Sequence, residues 1–336
     1  MAKKDSVFIS AVKIFFNGVK LYFLNFEKFF KYMAFPVFGQ IIGVSLIFFA
    51  SYIFTLHVST LTTKSPVFDN IPLVFLMLLL LTLPGFFIFC KAFWEYLIAM
   101  AALNSMASSL LEGSKLEDTG MHAELIKRRT GSYILFLLML TVIYLVLSFP
   151  ILWGLLAIVF VFVSLSFQVF ALEEDKSAFR AITTSISYIK FNFIKTSLLL
   201  ILLGITTYWL IPGLISWGFE VGDLAGFFSY PVEQYIRLLP LNDFNAMLAQ
   251  AHVPYTLKSY TIAQHIVLAV VSFAVTAFTL PLRSICCTEL YKEINKRNYA
   301  GKIAADKLAE VRKNRQNQEK EKTLRMKKIN VYLQKL

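Results

Sequence analysis

Charge is scarce in this sequence: Asp, Glu, Lys and Arg make up 16% of 336 residues, against 57% hydrophobic residues and 33 Phe. A soluble domain of this size needs a charged surface to stay dispersed, so the composition excludes the ordinary soluble classes and points to lipid as the solvent. Cysteine is scarcer still. Cys90, Cys286 and Cys287 include no CxxC spacing and fall near the expected cytoplasmic ends of helices, which argues against disulfides and a zinc site. The histidines, His57, His122, His252 and His265, share no metal-ligand spacing, and neither HxxxH nor a paired-carboxylate motif accompanies them. A Ser-His-Asp order, a nucleophile elbow, a phosphate loop and a glycine fingerprint are all missing, so neither an enzyme nor a cofactor is expected. Lys13 and Lys20 interrupt the apolar run near the N-terminus, which therefore lacks the core of a signal peptide and should be retained in the cytoplasm.

Long apolar runs are what the sequence has. A bilayer core needs about 20 apolar residues per helix. Six segments approach that length: Phe35–Leu56, Ile71–Lys91, Ser132–Phe149, Ile151–Leu172, Thr196–Phe219 and Tyr260–Leu282. Only Pro150 separates the third from the fourth, which together are too long for one crossing, so they read as a tight helical hairpin. The expected fold is thus all-α, a six-helix transmembrane domain over 35–290, preceded by a cytoplasmic N-terminal segment 1–34 and followed by a basic cytoplasmic tail 291–336.

The net charge of +12 is not that of a nucleic-acid binder, because the basic residues lie outside the apolar stretches. Lys3, Lys4, Lys13, Lys20, Lys28 and Lys31 precede the first span. Lys115, Lys127, Arg128 and Arg129 mark the second loop, and Lys176, Arg180, Lys190 and Lys195 the fourth. The outer loop 220–259 instead carries Glu220, Asp223, Glu233 and Asp243 against Arg237 and Lys258. Cations on alternate loops place both termini in the cytoplasm of a bacterial inner membrane.

Before the first span, Ser10, Lys13, Asn17, Lys20, Glu27, Lys28 and Lys31 recur at three- and four-residue steps, on one narrow stripe of an otherwise apolar helix. Such a helix is expected to lie flat in the membrane interface; a seventh span would bury several lysines in lipid. The segment recurs at 176–192. Aligning Asn25 with Asn192 matches Ser10 to Ser177, Ala11 to Ala178, Lys13 to Arg180, Phe26 to Phe193 and Lys28 to Lys195, while Leu83-Pro84 and Cys90 echo Leu280-Pro281 and Cys287. Two interfacial amphipathic helices and a weak parallel internal repeat around the central hairpin are the reading.

The stretch Phe170-Ala-Leu-Glu-Glu-Asp-Lys-Ser-Ala-Phe-Arg-Ala-Ile, followed by Ser185-Ile-Ser-Tyr-Ile-Lys-Phe-Asn-Phe and an apolar run, resembles the membrane domain of some bacterial glycerophosphoryl diester phosphodiesterases and of stand-alone inner-membrane relatives. The resemblance implies a six-helix membrane domain. It implies no active site, since the family's phosphodiesterase resides in a soluble barrel that has no counterpart here.

Candidate functional residues follow from position. Lys91 and Glu95 are four apart near the inner end of the second span, where they form either an intramembrane functional pair or a structural ion pair. Glu173, Glu174 and Asp175 could hold a cation, whereas Asp175 or Ser177 would equally cap the next helix. His265 stands near the outer end of the sixth span, as a proton relay or a satisfied interfacial residue. Lys13, Lys20, Lys28, Lys31, Lys127, Arg128, Arg129 and Arg180 are candidate contacts for anionic lipid, and stop-transfer duty explains the cluster at 127–129 as well. The outer loop, with Phe227, Phe228, Tyr230, Tyr235, Phe244 and Met247, is too apolar to stand free and should fold onto the outer membrane surface. The function expected is non-catalytic, the organisation of membrane lipids or of a protein partner reached through the tail or outer loop. The alternative is a transporter or channel for a small or lipid-like solute.

Overall fold

The computed structural model describes residues 7–64, 70–114, 116, 119–173 and 177–296, and for 59–64 the backbone alone. All regular structure among the described residues is helical. Among the described residues, seven helices are long and apolar enough to cross a membrane: Val7–Leu24, Phe26–Val58, Ile71–Leu111, Thr130–Leu147, Pro150–Leu172, Phe193–Val221 and Ser259–Lys296. This is the architecture of a multi-pass membrane protein. Five of these helices contain whole segments read from the sequence, Thr130–Leu147 covers all of the third but its last two residues, and the remaining helix is the segment assigned to the interface.

That first segment ends sooner than expected. Helix α1 (Val7–Leu24) stops at Asn25, whose side-chain amide donates to the Leu21 carbonyl at 3.0 Å, and α2 (Phe26–Lys64) begins at once. The polar stripe is therefore split between two helices. Within α1, Ala11, Ile14, Gly18 and Tyr22 are buried. Tyr22 donates to the carbonyl of Phe278 at 3.0 Å, and Asn17 donates to Glu289 Oε2 at 2.8 Å, so α1 runs antiparallel to 278–289. It also packs on α9 (Phe193–Gly204).

Helices α2 and α3 (Ile71–Leu111) form the most extensive helix pair, with Gly43 and Gly85 at the closest approach. Small residues let backbones meet where lipid offers apolar side chains no advantage in burial. The two ends of α3 differ. Its first half points Phe75, Leu76, Leu79 and Leu80 outward, while Ala92, Ile98, Ala99, Ala102, Leu103 and Met106 are fully buried further on. The alanines make room for α4 (Thr119–Lys127) and α7 (Ser166–Leu172), which pack there.

The expected hairpin is present: α5 (Thr130–Leu147) and α6 (Trp153–Val163) are joined through a single 3-10 turn, Pro150–Leu152. The helical stretch Pro150–Leu172 is interrupted by a turn at Ser164 and Leu165, which separates α6 from α7. Tyr133 and Phe136 on α5 meet Phe170 on α7, with the Phe136 and Phe170 rings stacked at 4.9 Å.

Helix α8 (Ala178–Ile189) is the expected second amphipathic helix, capped by Ser177, whose Oγ accepts from Arg180 N at 3.4 Å. Its apolar face is not free for lipid: Ala178, Ala181, Ile182 and Ile189 are buried, and α5, α6 and α7 fill that side. The next helix contains a π-helical turn, Ile205–Leu210, between α9 and α10 (Ile211–Val221). The segment 220–259, expected as an outer loop, is largely helical, as α11 (Leu224–Ile236) and α12 (Leu241–Gln250). Helix α13 (Ser259–Phe278) packs on α2, α10 and α11, turns at Thr279 and resumes as α14 over 280–296. The chain divides into two compact units after Glu289; of the second, 290–296 is described and is helical, with Asn295 Nδ2 donating to Tyr291 Oη at 3.4 Å. The basic tail from 297 onward, Lys115, Glu174 and Asp175 lie outside the described residues.

Candidate functional site

The cations expected to meet lipid fall into two groups. Lys28 donates to the Leu116 carbonyl at 2.6 Å, tying α2 to the segment after α3. Arg129 donates to the Phe170 carbonyl at 3.0 Å and lies over the Phe170 ring at 4.5 Å. Lys127 pairs with Glu95 at 2.8 Å. These three hold the protein together. Lys31 is exposed with Glu27 at 2.5 Å, and Arg128 is exposed opposite Glu124 at 3.7 Å. Lys13, Lys20 and Arg180 are exposed on helix surfaces.

The expected pair of Lys91 and Glu95 is replaced. Glu95 takes Lys127, 32 residues later in the chain, and the Lys91 ammonium lies 5.7 Å from the centre of the Phe35 ring. One turn of α3 allows the first pairing, but α4 presents a lysine on the side where Glu95 is partly buried.

Glu173 does not sit in a described acidic cluster, since its neighbours at 174 and 175 fall outside the described residues. Its Oε1 accepts from the Tyr188 hydroxyl at 3.2 Å. Burial pushes the Tyr188 phenol up to about 12, and the Glu173 carboxylate adds to the shift. His265 bonds the Thr261 carbonyl through Nδ1 at 2.6 Å. It lines a shallow depression of about 290 Å³ with Tyr255, Thr261, Ile262, Ile266 and Ala269. The three cysteines are free thiols, Cys90 exposed and the other two buried.

Several polar groups that sequence reasoning passed over are gathered by the fold. Asn104 and Gln168 share an amide–amide bond of 2.9 Å in the core, and Ser105 Oγ lies 2.9 Å from His122 Nδ1. Arg283 is the least expected. It is the one Asp, Glu, Lys or Arg between Lys258 and Glu289, and its lone charge in an apolar run was the signal that could have singled it out. Its guanidinium donates to the Tyr208 hydroxyl through Nη1, to the Thr276 carbonyl at 3.0 Å through Nη2, and lies 4.7 Å from the Tyr208 ring centre. Tyr96 on α3 faces the same group.

No family model, curated protein or solved structure matches the chain.

Proposed function

We propose that the chain is a non-catalytic integral membrane protein of the bacterial inner membrane that organises anionic lipids around it. The observation that carries this reading is the outward face of α1. Packing takes up Ala11, Ile14, Gly18 and Tyr22; between the exposed apolar ends Val7, Phe8, Ile9 and Leu24, the exposed residues are Lys13, Phe16, Lys20 and Phe23 at three- and four-residue steps. A face of alternating lysine and phenylalanine suits the headgroup boundary, where the rings enter the acyl region and each ammonium meets a phosphate for roughly 1 kcal/mol.

The same face supports the six-span topology with α1 as an interfacial helix and both termini cytoplasmic. A lysine at the centre of a spanning helix costs about 2.5–3.5 kcal/mol, and α1 would place Lys13 and Lys20 in contact with lipid. Cysteines at Val7 and Lys31 test this by labelling from each side: reaction on the same side is expected, and reaction on opposite sides makes α1 a span.

The parallel repeat and the likeness to the phosphodiesterase membrane domain belong to this proposal. Their support is the shared behaviour of Asn25 and Asn192 between consecutive helices. The decisive experiment measures phosphatidylglycerol enrichment around the full chain in mixed nanodiscs. Enrichment should fall in the double variant Lys13→Gln, Lys20→Gln and with rising salt; an unchanged, salt-independent enrichment ends the reading. Transport of a lipid-like solute is the second reading, favoured by the π turn and the break at Thr279 in neighbouring helices, because transporters build solute sites from interrupted helices.

A further inference from the structure

We propose that Arg283 anchors a binding site for a phosphate oxyanion between α3, the π turn and the junction of α13 with α14. The site is separate from the α1 face, so the two readings stand or fall independently.

Three observations converge on it. The first is charge. A guanidinium has five N–H donors and no acceptor. Two of its nitrogens are engaged by Tyr208 and Thr276, whereas Nε is buried and bonds nothing. No carboxylate pairs with Arg283 among the described residues. At the inner end of the sixth apolar run a buried guanidinium nitrogen still needs an acceptor, and the described residues around it offer only neutral ones.

The second is backbone. Tyr208 belongs to the π turn Ile205–Leu210, which Pro212 follows, and Arg283 follows the turn at Thr279 and Pro281. Pro281 has no N–H to give the Ala277 carbonyl. The Thr276 carbonyl receives both the Thr279 hydroxyl at 2.8 Å and Arg283 Nη2. Two facing helices are thus irregular at one level, and π turns in otherwise regular helices concentrate at functional positions.

The third is access. Arg283 is half-buried, and Tyr208, whose hydroxyl and ring it meets, is 59% exposed, so the Tyr208 side of the site borders the outside of the described helices. A phosphate fits this setting because the planar guanidinium fork matches its oxygens, and the Tyr208 hydroxyl, which accepts from Arg283, keeps its own proton to donate to the same anion. The phosphate can be that of a lipid headgroup or free in solution.

The test is native mass spectrometry of the full chain from nanodiscs. In phosphatidylglycerol mixed with phosphatidylcholine, wild type should retain one phosphatidylglycerol at fixed stoichiometry. Arg283→Gln should lower that retention roughly tenfold or more, the range of one charge-assisted bond. Arg283→Lys should keep part of it, and Lys13→Gln with Lys20→Gln should leave it intact. In phosphatidylcholine alone, added inorganic phosphate that protects wild type against thermal unfolding but not Arg283→Gln would assign the site to free phosphate. Should Arg283→Gln fail to fold, Tyr208→Phe keeps the ring, removes the hydroxyl and should still lower retention several-fold. Wild type that holds neither lipid nor phosphate, or variants that retain as much as wild type, would overturn the proposal.

Discussion

Gly43 on α2 and Gly85 on α3 meet backbone to backbone: a Cβ on Gly43 would stand 2.8 Å from the Gly85 carbonyl oxygen, and a Cβ on Gly85 would stand 2.7 Å from that of Gly43. Both atoms in the way are main chain, so neither can rotate aside. Gly43→Leu and Gly85→Leu should each force the helices apart and destabilise the fold by about 1–3 kcal/mol, the usual cost of overpacking. Thermal unfolding in detergent, followed by helical circular dichroism, measures the loss. Gly131→Leu, where a side chain meets open space, is the control expected to leave the midpoint in place.

Glu95 and Lys127 should show a coupling energy that Glu95 and Lys91 do not. With the two side chains 28% and 38% exposed, the pair is worth about 0.2–1 kcal/mol. A double-mutant cycle on unfolding free energy reads it directly. The charge-reversed double variant Glu95→Lys, Lys127→Glu should recover most of what either single reversal loses, whereas reversal at Lys91 should rescue nothing.

Asn25 and Asn192 should respond alike to truncation. Each donates its side-chain amide to the carbonyl four residues earlier, Leu21 at 3.0 Å and Tyr188 at 3.1 Å, where one helix stops and the next begins. Asn25→Ala and Asn192→Ala should each cost about 0.5–1.5 kcal/mol, one intramolecular hydrogen bond. Additive losses in the double variant are expected because no bond connects the two sites.

Tyr188 gives a pH dependence with a defined sign. Its folded value lies near 12, above the ordinary 10.0, so the fold holds the phenolic proton more tightly than the unfolded chain does. The contribution to stability is complete below pH 10 and disappears as pH rises from there through 12. The difference titration at 295 nm between wild type and Tyr188→Phe should show one tyrosinate forming near pH 12. A midpoint near 10 would mean that the hydroxyl faces water.

That Asn25 and Asn192 each stand before a phenylalanine and an apolar run was legible from the sequence because the pattern is local. The helical class and the places of most long apolar helices were legible for the same reason. Which apolar residues form the core was not. In a chain whose solvent is lipid, Phe75 and Leu103 are equally apolar although one is 65% exposed and the other 0%, so hydrophobicity no longer separates inside from outside. The amphipathic pattern of α8 carried the same ambiguity, and protein rather than lipid takes its apolar side. The lone charge of Arg283 was legible, but its bond to Tyr208 was not, because the two are 75 residues apart in the chain and three- and four-residue spacings find no such pair.

The length of α3 has a geometric consequence. At about 1.5 Å per residue, its 41 residues form a rod of roughly 60 Å. Its alanine-rich end is wedged among α4 and α7, and its other end carries bare leucine and phenylalanine into the bilayer. A bilayer core is about 30 Å thick, so a rod twice that length that crosses it must carry one of its ends through the headgroup region, and the alanine-rich end, already enclosed by α4 and α7, is the one whose surroundings are protein rather than lipid.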